Sequence, residues 1–222
     1  MAVGNSPGHF INKLDCRSGS KIDVIVTEGR ITDAKLWHRE IQIPYIASTT
    51  RLDRNWDWPK LVFWFNLMER LLGRNTIFFQ INAKDHRGNA FPVGQLLLAD
   101  GYPYFPDIGQ PSVFLWYMSA TPQNALIAHG LPSDIKLMRA LVDTAIQFSF
   151  QRGYEGRLLL HAAASGDPSE DNDLFQKYAK AIQLIPYPGG SYIGPARNND
   201  GRYFYSDNAR SLALTSQLDY LR

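Results

Sequence analysis

Of the five histidines in the chain, His161 has the setting best suited to chemistry. It closes the apolar run RLLLHAAA within the stretch QRGYEGRLLLHAAASG. Imidazole titrates near neutrality, so a histidine at the end of a strand beside a cleft can take a proton from an attacking nucleophile. The same stretch raises a second chemistry. Gly153 and Gly156, between Arg152 and Arg157, could let a backbone approach a pyrophosphate. Chain order argues against that cradle, because an anion site needs its glycines ahead of a helix, where the N–H groups are free. Here a helical stripe (Ile135, Met138, Leu141, Val142, Ala145, Phe148) ends at Gly153, and a buried strand leaves from Arg157. The anion-ready end is the other one, near Leu131-Pro132-Ser133-Asp134-Ile135, with Ser133 and Asp134 as caps. Lys136 and Arg139 lie in the first turns of that helix and could meet phosphates.

Other constellations are absent from the sequence. There is no G-x-S-x-G, the histidines are scattered without an H-E-x-x-H, and Cys16 stands alone in a Gly/Ser-rich stretch, so no metal site is expected. DPSEDND from Asp167 lacks the sixth-position glycine of a calcium loop and reads as acids placed at a helix N-terminus.

The elements that must position these residues belong to a globular chain. With 222 residues, 45% hydrophobic and 20% charged, a sizeable core needs no covalent staples. A formal charge of +2 argues against a nucleic-acid or anionic-membrane footprint. The lone cysteine suits a reducing compartment, no signal peptide is visible in MAVGNSPGHF, and no apolar stretch approaches the ~20 residues of a membrane span. A cytoplasmic protein is expected.

Residues 1–20 read as a loosely ordered N-terminal segment ahead of one domain over 21–222. IDVIVTEGR is a strand closed by a glycine turn, and RITDAKLWHREIQIPYIAS is ambiguous, with Pro44 limiting any helix. A helix follows, capped by Asp57 with Pro59 in its first turn and stopped by Gly73. Its aromatic series Trp56, Trp58, Phe63, Trp64 and Phe65 reads as a core face. TIFFQINAKDHRGNAFPVGQLLLAD is a hairpin, GYPYFPDIGQP a connection, and SVFLWYMSA a central strand apolar on both faces. After the long helix and RLLLHAAA come a helix containing LFQKYAKAI, a Gly/Pro loop from Pro186 to Gly201, the strand RYFY and a final helix. That order gives an α+β fold with a mixed, mostly antiparallel central sheet flanked by helices.

Central strand, loop, long helix, GYEGRLLLHA and LFQKYAKAI together resemble the acetyl-CoA-dependent N-acyltransferases of the GNAT superfamily, in particular a bacterial branch with G-x-x-G-R-x-x-L-H-A after the long helix. The resemblance covers roughly Thr76 to Tyr205. It implies acetyl-CoA as co-substrate, an amine acceptor and direct acyl transfer. It implies that pantetheine pairs with the backbone of Tyr117, Met118 and Ser119 where two strands splay. It places the pyrophosphate on amides at Ser133, Asp134, Ile135 and Lys136. His161 would be the base, and Tyr178, with Phe175 competing for the position, would protonate the thiolate. The sequence departs from the family's Q/R-x-x-G-x-G/A loop: AHGLPSDIKLM has only Gly130 and carries Pro132 where an amide is wanted. A binding or scaffold protein of the same fold that has lost CoA is the alternative. The Pro186–Gly201 loop would be a lid over the acceptor.

Overall fold

The structure is a computed structural model that describes residues 8–164, 167–188 and 199–222. Eight strands form one sheet: β1 (Lys13–Asp15), β2 (Lys21–Glu28), β3 (Asn75–Lys84), β4 (Ala90–Tyr104), β5 (Asp107–Ala120), β6 (Leu158–His161), β7 (Ile185–Pro186) and β8 (Tyr203–Ser206). Their order across the sheet is β1-β2-β3-β4-β5-β6-β8-β7. Every neighbouring pair is antiparallel except β5 and β6, which run parallel and pair Val113, Phe114 and Leu115 with Leu158, Leu159 and Leu160. The fold is therefore α+β, with a mixed, mostly antiparallel sheet, as the element order implied. The parallel pair requires a crossover, and the long helix α4 (Leu137–Gln151) supplies it.

Helices cover both faces. Leu137 and Leu141 of α4 lie over Gly94 on one face, where a Cβ would come within 3.1 Å of Leu141. On the other face, α1 (Ile31–Trp37) and α2 (Trp58–Leu71) bring Trp37 and Trp58 against Gln95. With its amide oxygen turned toward them, Gln95 accepts from both indole N–H groups at 3.1 and 3.0 Å. Gly94 and Gln95 are consecutive, so side-chain alternation alone assigns the two faces. Every residue of α4 from Ala140 to Ser149 is buried, because α6 (Asn208–Ser216) packs on the side that the sheet leaves open.

Four local expectations change. Chain expected to be loosely ordered supplies an edge strand, β1, and buries Cys16. GYPYFPDIGQP is no connection. β4 and β5 run through it as a hairpin with Pro103 opposite Pro111, at a place where register shifts spare the ladder the two missing donors. α1 continues as a π-helical stretch, His38–Ile46, across Pro44, where the wider turn tolerates a residue without an N–H. Phe63 and Trp64 are 55% and 48% exposed, so the aromatic series of α2 is not one core face; only Trp58 is buried outright.

The QRGYEGR stretch is structural. Gly153 ends α4, and Gly156 has φ +76° with Phe150 and Ser211 2.7 Å from where a Cβ would stand. Arg152 pairs with buried Asp100 at 2.8 Å, and Arg157 donates to the Pro111 carbonyl.

Candidate active site

β5 outruns β6. The last paired residues are Leu115 and Leu160, and β5 continues to Ala120 while β6 stops at His161. A strand that loses its neighbour leaves a gap in the sheet, and the gap is lined from both faces. Alternation turns Met118 and Ala120 toward α4, whereas Tyr117 and Ser119 face α1 and α2. The resulting cleft of ≈ 310 Å³ takes Met138 and Leu141 from α4, Arg51, Asp53 and Trp56 from the loop before α2, and Leu174, Lys177 and Tyr178 from the helix after β6.

Tyr178 reaches the cleft because its helix changes pitch. α5 (Pro168–Gln176), capped by the Asp167 side chain on the Ser169 amide at 2.8 Å, passes into a π-helical turn over Lys177–Ala181. Widening the turn rotates the residues beyond Gln176 relative to those before it, and such turns recur at functional sites. Phe175 packs on Phe204 at 4.8 Å, as Tyr178 does at 5.5 Å, but does not line the cleft. Burial pushes the Tyr178 phenol well above its ordinary range. Like any tyrosine it is protonated at neutral pH, and burial makes it a weaker acid than a free phenol.

Beside Tyr117, buried Asp53 and Ser119 and half-buried Arg51 form one polar unit. Arg51 clasps Asp53 through Nε and Nη2 at 2.8 and 2.7 Å. The Ser119 hydroxyl donates to Asp53 Oδ2 at 2.5 Å, and Arg51 Nη2 donates to the Ala120 carbonyl at 2.9 Å. A loop between helices is thereby fastened to the end of β5. Tyr117 packs edge-on against Trp56 and Phe65. The sequence singles out Ser119 and reads Trp56 as part of a core face, but gives no sign of Arg51 and Asp53. They sit in RLDRNW, whose only signal is charge of both signs beside an aromatic, and that is common in solvated loops.

A second cleft, ≈ 360 Å³, shares Ala120 and Met138 with the first and extends to the start of α4. Ser133, Asp134, Ile135, Lys136 and Arg139 line it, with Arg17 from the N-terminal hairpin opposite. α4 starts at Leu137 with Lys136 as its cap, later than Ser133 and Asp134 suggested, because β1 and the turn after it claim the preceding residues. The Lys136 amide donates to the Asp15 carbonyl at 2.9 Å, Cys16 bridges Ile135, and the Asp134 carbonyl accepts from the Arg17 amide. The Ser18 amide, 2.6 Å from the Asp134 carboxylate, holds that group below the usual carboxylate range. A short helix, α3 (Gln123–Ala128), absent from the sequence reading, fills part of the loop.

His161 stands apart. It ends β6 but does not line the cleft that holds Tyr178. Its Nε2 is 2.9 Å from Asp200 Oδ2, and its ring lies 4.4 Å from that of Tyr203. A carboxylate on one ring nitrogen fixes the orientation and tautomer of the other. Much of the expected lid, residues 189–198, lies outside the described residues. Among the described residues no group of three or more His, Cys, Asp or Glu side chains could hold a metal ion, and no helix is long and apolar enough to cross a membrane.

Fold and site together define an α+β protein whose sheet parts between a long central strand and a parallel neighbour, with two adjoining clefts at the parting. No family model matches the sequence, and no curated protein does. Solved structures do resemble it. A mutant AtaT toxin bound to the C-terminus of the antitoxin AtaR and acetyl-CoA matches 87% of this chain and 99% of its own at 12% identity, TM-score 0.48. A mutant of the spermidine N-acetyltransferase SpeG from Vibrio cholerae matches 85% and 96% at 13% identity, TM-score 0.48. Apo FdhC, a nucleotide-linked sugar GNAT, matches 96% and 98% at 13% identity, TM-score 0.46.

Proposed function

We propose that the chain is a GNAT-like N-acyltransferase that moves an acetyl group from acetyl-CoA to an amine by direct attack. The observation that carries this reading is the continuity of the two clefts. They run from the first turn of α4, through the parting of β5 and β6, to a buried, protonated Tyr178. An extended chain bearing amides can add to the β5 edge that β6 has left, as an extra strand would. This assigns pantetheine to the backbone at Tyr117, Met118 and Ser119. The pyrophosphate falls to Ser133–Lys136 and the first turn of α4, where helix N–H groups lack intrahelical partners and Arg17, Lys136 and Arg139 add positive charge. The amine nitrogen attacks the thioester carbonyl, the C–N bond forms and the C–S bond breaks. Tyr178 gives its proton to the departing thiolate, and the proton lost by the amine passes to solvent at the cleft mouth, since His161, the base that the resemblance implies, does not line the cleft.

A second reading, a GNAT-fold binding protein without CoA, is favoured by the same N-terminus of α4. Pro132 has no N–H, the Lys136 amide is already bonded to Asp15, and an ionised Asp134 sits where phosphate would approach. Isothermal titration with acetyl-CoA and with CoA separates the two. Micromolar binding of both, followed by acetyl-dependent release of free thiol with a panel of polyamines and other primary amines, supports the transferase. No heat at millimolar ligand removes it.

A further inference from the structure

α2 has an outer face that the protein leaves uncovered. Phe63, Trp64, Leu67, Met68, Leu71 and Leu72 are between 40% and 73% exposed. They recur at i, i+1, i+4, i+5, i+8 and i+9, which gathers them on half the circumference of the helix. No polar side chain interrupts that half between Phe63 and Leu72. At these exposures they present on the order of 600 Å² of apolar surface, as much as the largest patch on a typical monomer. Leu36 and Ile43, on the helix that packs beside α2, are 40% and 58% exposed and extend the same tendency.

We infer that this face binds a second copy of the chain, α2 against α2, antiparallel about a two-fold axis. The spacing is its own complement under reversal. An axis between Leu67 and Met68 sets Phe63 opposite Leu72, Trp64 opposite Leu71 and Leu67 opposite Met68, so both halves of the stripe are used at once. Charge does not oppose that arrangement. Lys60, exposed one turn before Phe63, falls opposite Asn75 of the partner subunit, beside an Arg74 whose guanidinium is already paired with Glu69 at 2.5 Å, and no like charges meet between Phe63 and Leu72. The area agrees too. Counted on both copies it is on the order of 1,200 Å², the lower edge of stable specific interfaces, before any rim is added. An anionic lipid surface fits less well. The exposed cations of α2 are Lys60 and Arg70, whereas stable surface anchoring takes a polybasic cluster.

The test is sedimentation velocity of the full chain over about 1–100 µM, where dimers of ordinary affinity dissociate. A dimer is expected. Trp64→Glu and Leu71→Lys, made separately, each place a charge in the apolar seam and should weaken association on the order of 100-fold. Circular dichroism and the thermal midpoint report that each variant is folded; both positions are exposed in one copy, so neither substitution should unfold it. Mixed in equal amounts, the two variants should recover the dimer. The axis sets position 64 of one copy against position 71 of the other, so a carboxylate meets an ammonium only in the mixed pair. A monomeric wild type at the highest concentration overturns the inference, with or without flotation on phosphatidylserine vesicles. So does a dimer that both variants leave intact. Neither outcome touches acetyl-CoA binding, so the result is independent of the proposed activity.

Discussion

Replacing Arg51 with alanine should cost more stability than replacing its partner Asp53 with asparagine, although the same ion pair is lost. The asymmetry follows from burial. The Asp53 side chain is 9% exposed and that of Arg51 33%. Without Arg51, a carboxylate that water barely reaches keeps only the Ser119 hydroxyl, and an unpaired buried charge of this kind costs about 3–5 kcal/mol. Because Ser119 remains, the lower end, about 3 kcal/mol, is expected. Without the Asp53 charge, Arg51 turns toward solvent and still meets the Ala120 carbonyl, and the loss is that of ordinary hydrogen bonds, about 1–2 kcal/mol. At roughly 2–4 °C per kcal/mol for a chain of this size, Arg51→Ala should melt about 9 °C lower and Asp53→Asn about 4 °C lower. Urea melts of both variants at about pH 7.5 measure the two costs. Equal costs, or a larger cost for Asp53→Asn, would refute the argument that solvent access to the survivor sets the penalty.

Further outcomes rest on single geometries. Tyr178→Phe should lower kcat about 10²-fold or more with acetyl-CoA affinity little changed, since a positioned acid acts in the transition state; unchanged turnover removes Tyr178 as the acid. His161→Ala should leave kcat within a few-fold in a folded protein, because the ring lies outside the cleft; a large loss that His161→Gln, which keeps a partner for Asp200, does not rescue would restore the ring as the base. Gly156→Ala forces a left-handed backbone on alanine and drives its methyl into Phe150 and Ser211, for about 2–4 kcal/mol of lost stability by denaturant melt. Burial pushes the Asp143 carboxyl up to about 6, against the attraction of Arg222. Its folded-state pKa is raised, so its contribution is fully present below the unfolded value and is lost as pH rises through about 6. Stability should therefore gain on the order of 1 kcal/mol from this group between about pH 7 and 5, and Asp143→Asn should flatten that slope.

Sequence periodicity determined what is local: the strands through IDVIV, TIFFQ and RLLLH, the helix stopped by Gly73, the Asp57 cap, and the order of elements that makes a mixed sheet. These depend on residues within a turn or two of each other, where apolar spacing and caps act directly. The site was legible only in part. Met118, Ser119 and Tyr178 could be singled out because they lie on recognisable elements, but that they share one cleft depends on β5 continuing past the end of β6, a difference in length between strands far apart in the chain. The fate of the α4 N-terminus was decided by Asp15 to Ser18, more than a hundred residues away, through backbone hydrogen bonds that leave no mark on side-chain pattern. Arg51 and Asp53 became one unit with Ser119 through side-chain bonds that join positions 66 residues apart, a pairing that local spacing does not encode. For α2, hydrophobicity could be read but its destination could not. An apolar stripe is identical in sequence whether it faces the sheet or the solvent, and only packing placed Trp58 inside while leaving Phe63 and Trp64 out.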